Sequence, residues 1–386
     1  MIFAIPKEDI SKERSMKIIH CADIHLDSQM TANLDKVKAK ERKHEILDTF
    51  LRMVDYAENN NIDAVIIAGD LFDTKSFSAG TRNSVVDAIV SHQDIAFYYL
   101  KGNHGGGDHF IDAIKEIPDN LHLFEESWKK YNLFEKEGKR ITLSGIELSN
   151  DNISTVYSSL LLDPRDFNIV TMHGQISTYQ VKTSPDNISL SDLRNKNIDY
   201  LALGHIHEYQ EGSLPPRGKY CYCGCLEGRG FDECGKHGFV VLDIDEGDFT
   251  YNTEFIDFAK RHLYEIPVDI SDCKTNADIR GKIDAAIGLQ KSETKDLLKI
   301  VLTGDIEVDC EKNTEYLAKI LLEHFYFAKV KDKTKIAVDY NDYELDASLK
   351  GEFVRIVKGD ESLTEEEKAE IIRCGFQALN GEDIEL

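Results

Sequence analysis

Short apolar runs that stop abruptly at polar residues recur through the first half of the chain. The runs are rich in β-branched and aromatic residues, and each is short enough to be a buried strand. With the polar residues that end them, they occupy residues 17–25, 64–73, 95–104, 168–173 and 198–207. Five repeats of one pattern indicate a shared structural role for these strand ends.

Residues 36–60, between the first two runs, carry apolar positions at helical spacing. Ile46, Phe50 and Val54 fall on one face of such a helix, which suits it to cover a sheet. A helix that connects two strands of one sheet brings the chain back in the parallel direction. Further elements predicted in this part are a helix at 84–90, strands at 121–124 and 140–147, and an edge hairpin at 239–245 and 249–255. The pattern predicts an α/β fold.

A second pattern begins near residues 259–267, where strands and helices start to alternate without polar clusters at the strand ends. The predicted elements are strand 263–270, helix 277–289, strand 297–302, helix 314–324 and strand 325–330, followed by helices at 347–357 and 364–379. We therefore predict a first domain at 16–258, a small α/β capping domain at 259–340 and a C-terminal helical tail at 341–386. The tail helices are expected to pack on this chain or to dock on a partner.

Residues of metal-ligand type stand at the end of each of the five strands in the first domain. They are Asp23, His25, Asp70, Asn103, His173, His205 and His207. Open α/β sheets place their ligands beyond the carboxyl ends of the strands, so these side chains are expected to converge. A mixture of carboxylate and imidazole suits Mn, Fe or Zn. For Asp73 the sequence leaves open a ligand, a helix cap and a contact that supports a ligand.

The composition is typical of a soluble globular protein. Of its 386 residues, 41% are hydrophobic and 30% are charged, and no apolar run approaches the roughly 20 residues that span a bilayer. The eight cysteines show no disulfide pattern and no signal peptide is apparent, which predicts a cytoplasmic protein with reduced thiols and no membrane partner. Cys221, Cys223 and Cys225 alternate, which favours one face of a strand over a metal site.

The net charge of −24 argues against tight binding of nucleic acid by this chain alone. Proteins that bind phosphate backbones usually carry clustered Lys and Arg. Any DNA substrate would therefore need the metal centre, or a basic surface supplied by a partner.

The ordered set of motifs resembles the calcineurin-like metallophosphoesterase family. The matching motifs are Asp23-x-His25, Gly69-Asp70-x-x-Asp73, Gly102-Asn103-His104, His173 and Gly204-His205-x-His207. The resemblance implies a β-sandwich flanked by helices in four layers (αββα) and two divalent metal ions, with Mn²⁺ favoured over Fe²⁺ or Zn²⁺.

The same resemblance implies a role for each motif residue. One metal would be held by Asp23, His25, Asp70 and His207, and the other by Asp70, Asn103, His173 and His205. Asp70 would bridge the two metals. His104 would be the catalytic residue, stabilising the transition state or protonating the leaving oxygen.

Within the family, the sequence is most similar to the DNA-repair nucleases, in particular bacterial SbcD and its YhaO-type relatives. The first two motifs and the segment 224–233 carry this similarity, which also implies a capping domain and terminal helices. It implies a metal-dependent DNA exonuclease that works with an SbcC-like coiled-coil ATPase, with a homodimer left open. Arg229, in that segment, is expected to bind the substrate.

The acidic net charge and one departure from the family pattern keep alternative functions open. Gly105 stands where relatives usually have an Asp that orients the catalytic histidine, so Asp108 or another acid must substitute, or catalysis is slower. A first alternative is a phosphodiesterase of small nucleotides or cyclic phosphodiesters. A second is a slow-cleaving regulatory subunit of a coiled-coil ATPase.

Overall fold

The computed structural model describes residues 14–30, 34–73, 77–103, 106–177, 184–307, 310–336, 343 and 346–380. For residues 106–108, 365–366, 373, 377 and 380 it describes the backbone alone. The chain divides into two compact units, one of Met1–Tyr264 with Lys295–Leu297 and one of Glu265–Thr294 with Leu298–Leu386.

Strands dominate the first unit. In chain order they are β1 (Ser15–Cys21), β2 (Ala64–Ala68), β3 (Ala96–Leu100), β4 (Leu121–Leu123), β5 (Lys129–Lys136), β6 (Lys139–Gly145), β7 (Phe167–His173), β8 (Gln175–Ser177), β9 (Asn187–Ser189), β10 (Tyr200–Gly204), β11 (Gln210–Leu214), β12 (Gly218–Tyr222), β13 (Gly238–Asp245) and β14 (Tyr251–Asp257). The helices are α1 (Lys36–Asn59), α2 (Ala79–Ser91), α3 (Gly106–Asp112), α4 (Val156–Ser159) and α5 (Leu190–Leu193).

Twelve of these strands form two six-stranded sheets. The first sheet has the order β14-β13-β1-β2-β3-β4, with β1 to β4 parallel and β13 antiparallel to β1. The second has the order β11-β12-β10-β7-β6-β5, with β12, β10, β7 and β6 parallel. The predicted parallel strands and the edge hairpin of β13 and β14 are confirmed.

The two sheets pack face to face and bury an apolar layer between them. Ile66 and Val240 of the first sheet belong to the same buried cluster as Ile169 and Ala202 of the second. On the outer side of the first sheet, α1 contributes Phe50 and its apolar neighbours to another buried cluster. Short helices α4 and α5 join the cluster on the outer side of the second sheet. The predicted sandwich flanked by helices is confirmed.

The remaining elements follow the predicted alternation of strand and helix. They are β15 (Leu263–Asp269), α6 (Asn276–Gln290), β16 (Leu297–Thr303), β17 (Asp305–Ile306), α7 (Thr314–Leu322), β18 (Phe327–Asp332), β19 (Lys335–Ile336), α8 (Leu349–Lys358) and α9 (Glu365–Asn380). A three-stranded sheet has the order β15-β16-β18. Helices α8 and α9 pack on each other through Val354, Val357, Ile372 and Phe376.

The prediction of one strand face for three cysteines is wrong. Strand β12 ends at Tyr222, so that only Cys221 lies in it. Gly224 takes a φ of 77°, which turns the chain between Cys223 and Cys225. All three thiols are nevertheless buried, and none belongs to a group of potential metal ligands among the described residues.

No helix within the described ranges combines the length and the apolar character that crossing a membrane requires.

Candidate metal centre

Backbone hydrogen bonds continue the parallel ladder of the first sheet into the loops that carry the candidate ligands. The Asp23 N–H donates to Gly69 O at 3.1 Å and the His25 N–H donates to Asp70 O at 2.9 Å. The Asp70 N–H in turn donates to Lys101 O at 3.1 Å. The loops after β1, β2 and β3 are therefore joined to one another, and their side chains emerge at one edge of the sheet.

Four of the candidate ligands occupy the left-handed region of backbone conformation. The φ angles are 52° at Asp23, 50° at His25, 52° at Asp70 and 104° at His205. Side chains other than glycine rarely adopt positive φ, and such residues cluster at functional sites where the surrounding structure fixes them. The surrounding structure therefore holds these four residues in a strained conformation, which sets the direction of their side chains.

Two glycines give these side chains room. Gly102 has a φ of 84°, and a Cβ atom added there would overlap the Asp70 carboxylate. Gly69 has a φ of 105°, and a Cβ atom there would overlap the ring of His173. The motif glycines are therefore needed both for their backbone angles and for their missing side chains.

A first group of ligand atoms comes from Asp23, His25 and His207, and these atoms lie within 4.8 Å of one another. The two imidazoles face each other with Nε2 atoms 3.2 Å apart, and His207 Nε2 lies 4.0 Å from Asp23 Oδ1. The other ring nitrogen of each histidine meets a carboxylate, His25 Nδ1 at 3.2 Å from Asp73 and His207 Nδ1 at 2.7 Å from Glu233. With both Nδ1 atoms protonated, two Nε2 lone pairs point at the same space, which fits a cation.

A second group comes from Asp23, Asp70 and His173, whose ligand atoms also lie within 4.8 Å of one another. The His173 Nδ1–H donates to Ala68 O at 2.9 Å, and this bond fixes the tautomer. In the neutral ring, which is the form that binds a metal, the Nε2 atom of His173 is a lone-pair donor, and it lies 3.1 Å from Asp70 Oδ2. Two atoms that both offer lone pairs at this distance in a buried setting fit a second cation.

His205 lies beside the second group, and Asn103 contacts Asp186. The His205 backbone N–H donates to both carboxylate oxygens of Asp23, at 3.0 and 2.9 Å, and its ring centroid lies 5.5 Å from that of His173. Asn103 donates through Nδ2 to Asp186 Oδ1 at 3.1 Å, which commits the amide nitrogen and leaves the oxygen as the ligand-type atom.

The structure thus places Asp23, His25, Asp70, His173 and His207 at one site, with two differences from the predicted grouping. Asp23, expected in the first set alone, is within reach of both sets, and Asp70, the expected bridge, is grouped only with Asp23 and His173. When bound, two divalent cations would supply a clamp on a phosphodiester and lower the pKa of a bound water. His104 and Gly105 lie outside the described residues, and so does the side chain of Asp108, whose backbone belongs to α3.

Arg229 was expected to bind substrate, and its guanidinium contacts two carboxylates beside the first ligand group. It donates to Glu233 Oε1 at 2.6 Å and to Asp73 Oδ1 at 3.3 Å. Its Nη2 atom also lies 3.1 Å from His207 Nδ1. Arg229 therefore touches the groups that hold His25 and His207.

Burial and ion pairing move the pKa values of the four histidines in different directions. Burial lowers the pKa of His25, and burial together with the neighbouring His173 lowers that of His205. For His173, burial is outweighed by the hydrogen bond and charge of Asp70, which raise the pKa to about 9. For His207, burial is outweighed by the hydrogen bond from the ring to Glu233, so the pKa is raised.

Glu233 is ionised in this setting. Burial by itself would raise its pKa, but the hydrogen bonds from His207 and Arg229 outweigh burial and hold the pKa well below the usual range. A carboxylate that stays charged can keep the proton on His207 Nδ1 and leave Nε2 free for a metal.

Two residues near the candidate ligands were not predicted from the sequence to belong to the site. Glu233 lies four residues after Arg229 in the segment 224–233, and its acidic character beside an Arg was an available signal. Asp186 meets Asn103 across 83 positions of sequence, and no local pattern could have identified it.

Comparison with known proteins agrees with this geometry. The calcineurin-like phosphoesterase family matches residues 16–209, about half of the chain, and the chain belongs to this family. YhaO, an uncharacterized metallophosphoesterase of Bacillus subtilis, is 27% identical over 304 residues, which cover 75% of this chain and 72% of YhaO. The DNA double-strand break repair protein Mre11 of Sulfolobus acidocaldarius is 24% identical over 308 residues, 76% of each chain. Mre11 of Saccharolobus solfataricus is 27% identical over 358 residues, 86% of each chain.

Family membership defines the protein as a metal-dependent phosphoesterase, and the predicted family and enzyme class are confirmed. The similarity to YhaO and Mre11 extends past residue 209, because the aligned lengths exceed the matched domain.

Proposed function

We propose that the chain is a dimetal phosphodiesterase that hydrolyses DNA, the nuclease subunit of a complex with an SbcC-like coiled-coil ATPase. The observation that carries the proposal is the pair of buried ligand groups that share Asp23, one with facing His25 and His207 and one with Asp70 and His173. Relatives named as DNA double-strand break repair proteins, similar over most of the chain, support DNA as the substrate.

The roles of the side chains follow from their positions. Asp23, His25, Asp70 and His207 would hold one metal, and Asp70, Asn103, His173 and His205 the other, with Mn²⁺ as the proposed ion. Asp23 and Asp70 bring only two negative charges, so that a site loaded with two divalent ions remains cationic and attracts phosphate. By the family resemblance, His104 is proposed to protonate the leaving oxygen or to stabilise the transition state.

An ATPase partner is supported by the charge of the chain and by the tail. With a net charge of −24, a basic surface for DNA has to come from elsewhere. Helix α8 exposes Leu349 and Ile356, which are 71% and 65% accessible and lie two turns apart on one side of the helix. Apolar residues seven apart suit docking on a coiled coil.

The test is hydrolysis of a labelled oligonucleotide and of bis-p-nitrophenyl phosphate with Mn²⁺ and with chelator. We expect both to be cleaved only with metal, Asp70→Asn to be inactive, and His104→Ala to bind metal but to turn over slowly. Cleavage that persists in chelator, or in Asp70→Asn, would contradict the proposal. Metal binding without cleavage of either substrate would favour the regulatory subunit, for which Gly105→Asp would restore activity.

A phosphodiesterase of small nucleotides is the second candidate, and the net charge of −24 favours it. A small substrate needs only the metal centre, whereas a duplex must approach the whole acidic surface. Turnover of cyclic nucleotides and of oligonucleotides by the same preparation separates the two. Faster turnover of the cyclic substrate, unchanged by adding the ATPase partner, would support the second candidate.

A further inference from the structure

Arg229 and Glu233 are joined by several hydrogen bonds within one short segment. Arg229 donates to Glu233 through its backbone N–H at 2.7 Å, through Nε at 3.1 Å and through Nη2 at 2.6 Å. The two side chains are 15% and 6% exposed. A guanidinium held along its Nε–Nη2 edge in this way is rigid, because its planar fork is fixed relative to the carboxylate.

This pair connects to both imidazoles of the first ligand group. Glu233 accepts from His207 Nδ1 at 2.7 Å. On the other side Arg229 Nη1 reaches Asp73 Oδ1 at 3.3 Å, and Asp73 Oδ1 lies 3.2 Å from His25 Nδ1. One guanidinium therefore links the two carboxylates that set the tautomer and the ring direction of His25 and His207.

Helix α1 holds the segment that carries Arg229 in place. The buried Arg42 donates to Glu227 Oε2 at 3.1 Å and to Gly228 O at 2.8 Å. Thr49, also on α1, donates to Glu227 Oε1 at 2.8 Å. The residues directly before Arg229 are thus anchored in the core, and this fixes the position of the Arg229 backbone.

We propose that Arg229 and Glu233 are positioning residues that hold His25 and His207 in the geometry that binds the first metal. Arg229 acts through Asp73 and Glu233 and does not act as a phosphate-binding group. The inference rests on the proposed dimetal centre, but it does not depend on DNA being the substrate.

The hydrogen-bond partners of Arg229 distinguish a positioning role from substrate binding. The guanidinium is surrounded by two carboxylates, so most of its donors are already used when the site is formed. A substrate-binding arginine would instead raise KM on removal and leave metal affinity unchanged. A positioning residue lowers metal affinity in the absence of any substrate.

The experiment measures Mn²⁺ binding to the full chain by isothermal titration calorimetry, with no substrate present. We expect the unmodified chain to bind two equivalents, and Arg229→Met to bind one of them about 10- to 100-fold more weakly while the other changes little. Glu233→Gln keeps the size and an acceptor oxygen, and we expect the same selective loss in a smaller degree. Arg229→Lys keeps the charge without the fork, and we expect incomplete rescue.

A matched control pair lies at the opposite end of the second sheet. Arg140, at the start of β6, contacts the buried Asp166 at 2.9 Å. Arg140→Met and Asp166→Asn should lower the melting temperature of the metal-free chain at least as much as the Arg229 and Glu233 variants, and should leave both binding constants unchanged. If they weaken Mn²⁺ binding equally, the effect at Arg229 is loss of general stability and the inference is overturned.

The outcomes also separate this inference from the proposed function. Unchanged binding of two Mn²⁺ by Arg229→Met, with a raised KM for an oligonucleotide, would overturn the inference and leave the nuclease proposal standing. Selective loss of one Mn²⁺ in a chain that cleaves cyclic nucleotides but not DNA would support the inference and reject the nuclease proposal.

Discussion

His262 is held between the carboxylates of Asp257 and Asp296. Its Nε2 lies 2.9 Å from Asp257 Oδ1, and its Nδ1 lies 3.8 Å from Asp296 Oδ1. The nearby Asp296 carboxylate is the main cause that raises the pKa of His262 to about 9; burial opposes it, and Asp257 adds to it. Protonated His262 therefore stabilises the folded state.

We predict that this stabilisation disappears in alkaline solution. Because the pKa in the folded state lies above the ordinary value of 6.5, the contribution is complete below about pH 6.5 and is lost as the pH rises to about 9. His262→Gln should lower the free energy of unfolding by about 2 kcal/mol at pH 6 and by much less at pH 10, measured by urea denaturation. An equal loss at pH 6 and at pH 10 would contradict the prediction.

At the residue scale, the convergence of the candidate ligands could be predicted from the sequence, but the residues that contact them could not. Asp23, Asp70 and the ligand histidines follow apolar strands directly, so their position at one edge follows from strand direction alone. The partners Glu233 and Asp186 stand in loops, where no periodicity indicates which way a side chain points. Contacts between loops depend on the complete fold.

At the scale of elements, the carboxyl end of β10 packs closely against the carboxyl end of β2. A Cβ atom at Gly204 would overlap Ala68 O and lie 2.7 Å from His173 Nδ1. The residue is therefore part of the contact between the two sheets at the ligand edge. Helix α6 offers the opposite case, because a Cβ atom at Gly281 would meet nothing within 4 Å.

We predict opposite effects for alanine at these two glycines. Gly204→Ala should destabilise the fold by about 1 to 3 kcal/mol through overpacking and weaken Mn²⁺ binding through His173. Gly281→Ala should stabilise it by about 0.5 to 1 kcal/mol, because glycine is a poor helix former. Urea denaturation measures both, and a stabilising Gly204→Ala would show that the sheets do not approach as closely as described.

The elements that the pattern missed share a physical cause. Strands β5 and β11 lie at the edges of the second sheet, and their sequences are mostly polar because much of each strand faces water. Helix α3 begins at Gly106 in a run of glycines, which predicts a turn. Central strands and long helices bury regular apolar faces, so their bounds were predicted within about five residues.

For the whole molecule, the net charge of −24 lowers the affinity of the chain for a polyanion such as DNA. We predict that the purified chain binds an oligonucleotide weakly, and that its affinity falls by at least about tenfold between 50 and 200 mM salt. Fluorescence anisotropy in chelator, where no cleavage occurs, measures this. Tight binding by the chain alone near 150 mM salt would contradict the prediction, whereas tight binding only after addition of a basic partner would agree with it.

The backbone bonds that join the ligand loops to β1, β2 and β3 have a consequence for amide hydrogen exchange. The amides of Asp23, His25, Leu26 and Asp70 donate to carbonyls beyond the ends of the strands. The hydrogen bonds of these amides should break only when the sheet itself unfolds. The amides should therefore exchange with deuterium as slowly as amides within the core strands. Removing metal would then leave this protection nearly intact, since the bonds are made by the chain alone. The ligand loops would behave as part of the slowest cooperative unit, rather than as segments ordered by the ions.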